Sequence, residues 1–178
     1  ESFESRVPTG SRRWMDLGSG GGIPGLVLAQ AWPDREGVLL EANRGRAGFL
    51  SGVVAGQGWA QRVSVVNQRA ETVGHAAGYR GGFSLVVARS FGPPPVTAEC
   101  AAPLLRPSGI LVVSEPPGSA PPEDGGSDRW PEKGLAPLGL VPVGRWQREF
   151  GYQIMRQAEP CPARYPRRVG VPAKRPLY

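Results

Sequence analysis

Between Asp16 and Ala29 the chain reads DLGSGGGIPGLVLA, a glycine-dense loop that turns apolar at once. Glycines in such a loop permit positive φ and let a ligand lie directly against the main chain. Gly20, Gly22 and Gly25 match G-x-G-x-x-G, a spacing that admits a dinucleotide and is weak when it stands alone. Asp16 stands two residues before a further G-x-G, Gly18 and Gly20, and this D-x-G-x-G form suits S-adenosylmethionine with its amino acid end along the loop. Glu41, at the end of the next apolar run, is placed to accept hydrogen bonds from ribose hydroxyls and serves either ligand. A sharp strand-to-helix connection without a ligand is the plain alternative.

Other chemistries find little support. His75 is the one histidine, in the loop-like stretch ETVGHAAGY, so neither Ser-His-Asp catalysis nor a histidine-rich metal site is indicated, and no metal is expected. Cys100 and Cys161 are the two cysteines, far apart and outside any CxxC, which speaks against a disulfide framework and for a reducing, cytoplasmic setting. No apolar run approaches a membrane span and no signal peptide is visible, so no membrane partner is expected.

The elements that must position the loop follow from the hydrophobic pattern. Arg13 to Leu17 reads as a strand running into the glycines, and Pro24 sits where a helix to about Ala31 would begin, a position that tolerates its missing N–H. EGVLLEA, RVSVVNQ (62–68), FSLVVA (83–88) and GILVVS read as further strands. Asn43 to Gln57 and Val96 to Leu105 read as helices, the former with an Asn43 cap. Apolar strands separated by helices imply a mostly parallel, doubly wound α/β sheet with its ligand beyond the strand carboxyl ends. LVPVGRWQRE and GYQIMRQAE suggest a final hairpin, and Glu115 to Pro131, rich in Pro, Gly, Ser and acid, a mobile surface loop.

A chain of 178 residues fits one domain, here residues 1–163 with a basic, proline-spaced tail, 164–178, that has no fold of its own. Arg164, Arg167, Arg168, Lys174 and Arg175 carry five of the six net positive charges. Such a tail is either solvated and disordered or binds phosphates.

The ordered set DLGSGGGIPG, LLEANRGRAGFL, QRAET, VVARSFG and YPRRVGVPAKRPL resembles the bacterial glucose-inhibited division protein B family, guanine-N7 methyltransferases of small-subunit ribosomal RNA. The resemblance runs from Trp14 to Leu177 apart from the acidic loop. It implies a class I methyltransferase fold, with a doubly wound, mostly parallel seven-stranded sheet and a C-terminal antiparallel hairpin. The implied cofactor is S-adenosylmethionine. Gly18, Gly20, Gly22 and Ile23 would contact it, Glu41 would hold its ribose, and Ala70 and Glu71 would lie along its adenine. Arg89 would be the catalytic-site arginine, near cofactor and target. Glu71 could equally cap a helix, and Arg89 could pair with Glu115 or another carboxylate. The basic tail residues would contact the RNA partner, free or in an assembly intermediate, and the protein would act as a monomer. Two departures stand out: Ser114, Glu115 and Pro116 stand where the family has a lysine followed by glycine after the fifth strand, and of the family's helical segment before the first strand only ESFESRVPTGSRR could be represented here. A relative that methylates another acceptor, or a cofactor- or RNA-binding module without turnover, would share most of these features.

Overall fold

The computed structural model describes residues 13–116, 129–147 and 151–178. Most of the acidic stretch expected to form a mobile loop, and the residues before Arg13, lie outside them. Seven strands form one sheet in the order β3-β2-β1-β4-β5-β7-β6. These are β1 (Arg13–Leu17), β2 (Glu36–Leu40), β3 (Val63–Val66), β4 (Phe83–Ala88), β5 (Leu105–Glu115), β6 (Leu140–Gln147) and β7 (Gly151–Gln157). β1 to β5 run parallel, while β7 pairs antiparallel with β5 and with β6. The strand order reverses at β1/β4, where an open α/β sheet leaves a crevice for its ligand.

The central strands are apolar without interruption because both faces are covered. Along β1 and β4, Trp14, Leu85 and Val87 enter one core with Leu50 and Val54, while Met15, Val86 and Ala88 enter the other with Ala98 and Leu104. Helices α1 (Gly25–Ala31) and α2 (Arg44–Gly56) join β1 to β2 and β2 to β3. Asn43 caps α2, its Oδ1 accepting from the Arg46 N–H at 3.0 Å. The short α3 (Ala70–Val73) follows β3, and α4 (Pro94–Ala101) continues through a 3-10 turn, Ala102–Leu104, straight into β5.

The far end of the acidic stretch is built into the fold. Trp130 is fully buried ahead of α5 (Glu132–Leu135), and its Nε1 donates to Glu115 Oε1 at 2.8 Å. The basic tail also differs from a solvated arm. Tyr165, Pro166 and Pro172 are buried, and α6 (Val171–Lys174) packs against α4. Arg80 fastens the entry to this segment by donating to the carbonyls of Cys161, Pro162 and Tyr165 at 2.8–3.0 Å. Proline spacing here marks a chain laid along a surface.

Candidate active site

A cavity of about 480 Å³ opens over the carboxyl ends of β1 to β4. Its floor is the glycine loop. Gly18 N and Ser19 N both donate to Leu40 O at 2.9 Å, tying the loop to the end of β2. Gly18 has φ +74°, and a Cβ there would lie 2.5 Å from the Phe91 ring, so only glycine allows both the turn and that approach.

Asp16 sits beneath the loop, buried, with Oδ2 accepting from Gly25 N at 3.0 Å at the start of α1. Burial raises its pKa to about 6, against the lowering effect of the Gly25 and Ser19 bonds. The helix N-terminus is therefore a structural joint. Its first donors go to Asp16 and, from Leu26, to Gly22 O, and the ligand-facing surface is the loop itself.

Glu41 follows β2 and closes the loop from the side. Oε2 accepts from Gly20 N at 2.9 Å, and Oε1 from Asn43 N at 2.7 Å and Arg46 Nη2 at 3.1 Å. Burial pushes its pKa up, but these three donors outweigh burial and leave it below the ordinary value. Oε2 keeps a lone pair for a ribose hydroxyl beside the cavity.

Gly18, Gly20, Ile23, Glu41, Ala70, Glu71 and Arg89 all line this cavity, although they come from widely separated parts of the chain. Gly22 does not. It has φ +96°, and a Cβ there would strike Leu26 and Leu50, so it turns the loop away from the cavity into the packing of α1 on α2, and Gly21 takes its place in the lining. Glu71 reaches the cavity edge, where Oε1 accepts from Gly170 N at 2.9 Å, so the carboxylate also anchors the tail segment. Phe91, Arg46 and Ala173 line the cavity too. Phe91 had a local signal, following Arg89 within two residues, whereas Ala173 arrives only through tertiary packing. The buried Cys100 also borders it, with burial pushing its thiol far up and out of nucleophilic range.

Arg89 is exposed at the first position after β4 and borders this cavity and two neighbours. Glu115 is not its partner, because Arg129 Nε contacts Glu115 Oε2 at 2.9 Å and Trp130 holds Oε1.

In the tail, Arg164, Arg168, Lys174 and Arg175 are exposed. Arg167, expected with them to contact RNA, is engaged within the fold. Its Nε, Nη2 and backbone N donate to the buried Glu99 at 2.7–2.9 Å, and Nη2 also reaches Arg175 O. A charge buried on α4 needs this partner more than solvent offers Arg167 an RNA phosphate. Among the described residues no cluster of His, Cys, Asp or Glu forms a metal site, and no helix is long and apolar enough to cross a membrane.

This strand order with a glycine loop after β1 and an acidic residue after β2 is the class I S-adenosylmethionine-dependent methyltransferase fold. Solved structures share it. The antibiotic-resistance methyltransferase Kmr superposes with TM-score 0.64 over 86% of this chain and 90% of its own, at 16% identity. The S-adenosylmethionine-dependent methyltransferase SibL gives 0.63 over 85% of this chain and 52% of its own, at 18% identity. Within that class the chain belongs to the GidB family, described as rRNA small subunit methyltransferase G, whose profile matches residues 4–115. It is 39% identical over 171 residues to ribosomal RNA small subunit methyltransferase G of Prochlorococcus marinus, covering 93% of this chain and 68% of that one. It is 36% identical over 174 residues to the protein of the same name from Deinococcus radiodurans, covering 95% of this chain and 67% of that one.

Proposed function

We propose that the protein transfers a methyl group from S-adenosylmethionine to N7 of a guanine in 16S ribosomal RNA, acting in the cytoplasm as a monomer on the RNA or an assembly intermediate. The observation that carries this reading is Arg89. It stands on the wall shared by the Glu41 cavity and the cavities beside it, where cofactor and acceptor have to meet.

The cavity's donors and acceptors fit the cofactor. The loop backbone would hold its amino acid end, Glu41 Oε2 would accept from its ribose, and Ala70, Glu71 and Val96, which line the same cavity, would hold its adenine. The bound cofactor supplies an electrophilic methyl on a sulfonium. The chain's part would be to present guanine N7 to that carbon: its lone pair would take the methyl, the carbon–sulfur pair would return to sulfur, and the base would take up the positive charge. N7 carries no proton, so no general base is needed and alignment accounts for most of the acceleration. Arg89 is suited to a cofactor carboxylate, an RNA phosphate or guanine O6. A fork covering both O6 and N7 would block the attack.

The test is methyl transfer from labelled cofactor to deproteinised small-subunit RNA and to assembled subunits in parallel, with the product nucleoside identified. N7-methylguanosine supports the proposal. Label on another base, or on a non-RNA acceptor, overturns it in favour of a relative with a different acceptor. Cofactor binding without transfer to either substrate identifies a binding module.

A further inference from the structure

The replacement of a cation by Glu115 after β5 looks unfavourable for RNA until its surroundings are considered. The Glu115 side chain is 4% exposed and contacted on both oxygens, by Trp130 Nε1 at 2.8 Å and Arg129 Nε at 2.9 Å. Arg129, by contrast, is 40% exposed. The acid is therefore turned inward, and the charge exposed at this strand end is that of Arg129.

Arg129 borders a cavity of about 500 Å³ over the carboxyl ends of β4 and β5. This cavity joins the cofactor cavity through Arg89, Ser90 and Phe91, which line both. It is lined by the aromatic residues Phe91 and Tyr152, by Ser90 and Ser114, and by Arg89 and Arg129. Aromatic faces accept a stacked base, and guanidinium groups bind phosphate through paired donors. A purely apolar ligand would leave Arg89, which forms no ion pair among the described residues, unmatched.

We infer that this second cavity receives the acceptor nucleotide of the RNA, and that Arg129, fixed by Glu115 and Trp130, contacts a phosphate of that nucleotide or its neighbour. The inference rests on the proposed function. Glu115 is a positioning residue. Its buried carboxylate holds the Arg129 charge beside the cavity by the ion pair at 2.9 Å.

The experiment measures 16S RNA binding by the whole chain across a range of salt, together with methyl-transfer kcat and KM, for wild type, Arg129→Ala, Arg129→Lys and the double variant Glu115→Gln/Arg129→Ala. The double variant removes the orphaned carboxylate that could unfold the single one, while the introduced amide oxygen still accepts from Trp130. Loss of one phosphate contact lowers the salt slope by about one. Both alanine variants are expected to show that loss, with a several-fold rise in KM for RNA, unchanged cofactor affinity and kcat within about twofold, and the lysine variant to restore the slope. Wild-type slope and KM in both alanine variants would overturn the inference while leaving RNA methylation by the wild type intact. RNA binding with the expected slope loss but no methyl transfer would overturn the proposed function alone, and no RNA binding by the wild type would overturn both.

Discussion

Glu99 and Arg167, 68 residues apart, form a bidentate ion pair, with Nε to Oε1 at 2.9 Å and Nη2 to Oε2 at 2.7 Å. The Glu99 side chain is wholly buried on α4, so the pair fixes the C-terminal segment to the helix whose Val96 and Cys100 line the Glu41 cavity. Removing one partner of a buried pair leaves an uncompensated charge and costs roughly 3 to 5 kcal/mol. Arg167→Ala should lower stability in denaturant unfolding by about that much. A loss below about 0.5 kcal/mol would mean that Glu99 is compensated by other donors.

The exposed tail cations should behave in the opposite way. Arg164, Arg168, Lys174 and Arg175 carry charge at the surface, and neutralising all of them should leave the unfolding midpoint nearly unchanged. Each one that touches an RNA phosphate should reduce the salt slope of binding by about 0.7 to 0.9. Filter binding at several salt concentrations measures this, and an unchanged slope would confine the tail to a structural role.

Glu41 offers a test on the cofactor side. Glu41→Gln keeps an acceptor for Gly20 N but removes the charge that holds Asn43 N and Arg46. Calorimetric affinity for S-adenosylhomocysteine should fall by roughly 1.5 to 3 kcal/mol, the range for hydrogen bonds to a charged group, and Glu41→Ala should fall at least as far. A nicotinamide dinucleotide should bind neither wild type nor variant, and tight binding of one would redirect the loop to the other ligand its spacing admits.

What was legible in the sequence is what local pattern records. β1 and β4 occupy the residues expected because both faces are buried and the apolar runs are unbroken, and Asn43 caps α2 because an N-cap is read within three residues. Of the residues expected at strand ends, Glu41 was placed by the same reading and Arg89 by the family resemblance, and both line the cavity. Contacts that bridge long separations left no local trace: Glu71 to Gly170 spans 99 residues, and Arg167 to Glu99 spans 68. The burial of Trp130 was hidden in a stretch whose Pro, Gly and Asp content reads as loop, and Gly22 shares its loop with cavity-lining glycines but turns the other way.

The pH profile of stability should carry the signature of Asp16. Its folded pKa is raised from 3.8 to about 6, so between those values the native state holds a proton that the unfolded chain has lost. Stability attributable to Asp16 is present below 3.8 and is lost as pH rises through about 6, a change of roughly 3 kcal/mol. Glu41 has the opposite sign at lower pH: its depressed pKa contributes stability above 4.5 that is lost as pH falls through the folded value. Asp16→Asn, which can still accept from Gly25 N, should flatten the decline between pH 4 and 6 in chemical denaturation. An identical profile would place the titrating group elsewhere.

Arg89 should matter for turnover more than for folding. It emerges at the carboxyl edge of the sheet, exposed, and no ion pair ties it down among the described residues. Its charge is among the influences that lower the Asp16 pKa, after burial and the bonds from Gly25 and Ser19. Arg89→Ala should therefore leave the thermal midpoint within a few degrees of wild type. If the guanidinium anchors the cofactor carboxylate or the target nucleotide, methyl transfer should drop about tenfold to a thousandfold, the consequence of losing a charge-assisted contact of roughly 1.5 to 4 kcal/mol. Arg89→Lys should recover only part of the rate, since it keeps the charge and loses the planar fork. The split between kcat and KM says which ligand is held: a rise in cofactor KM alone points to the carboxylate, whereas a fall in kcat at saturating cofactor and RNA points to alignment of the acceptor. Full activity in Arg89→Ala, or a loss of stability that matches the loss of activity, would remove Arg89 from the site.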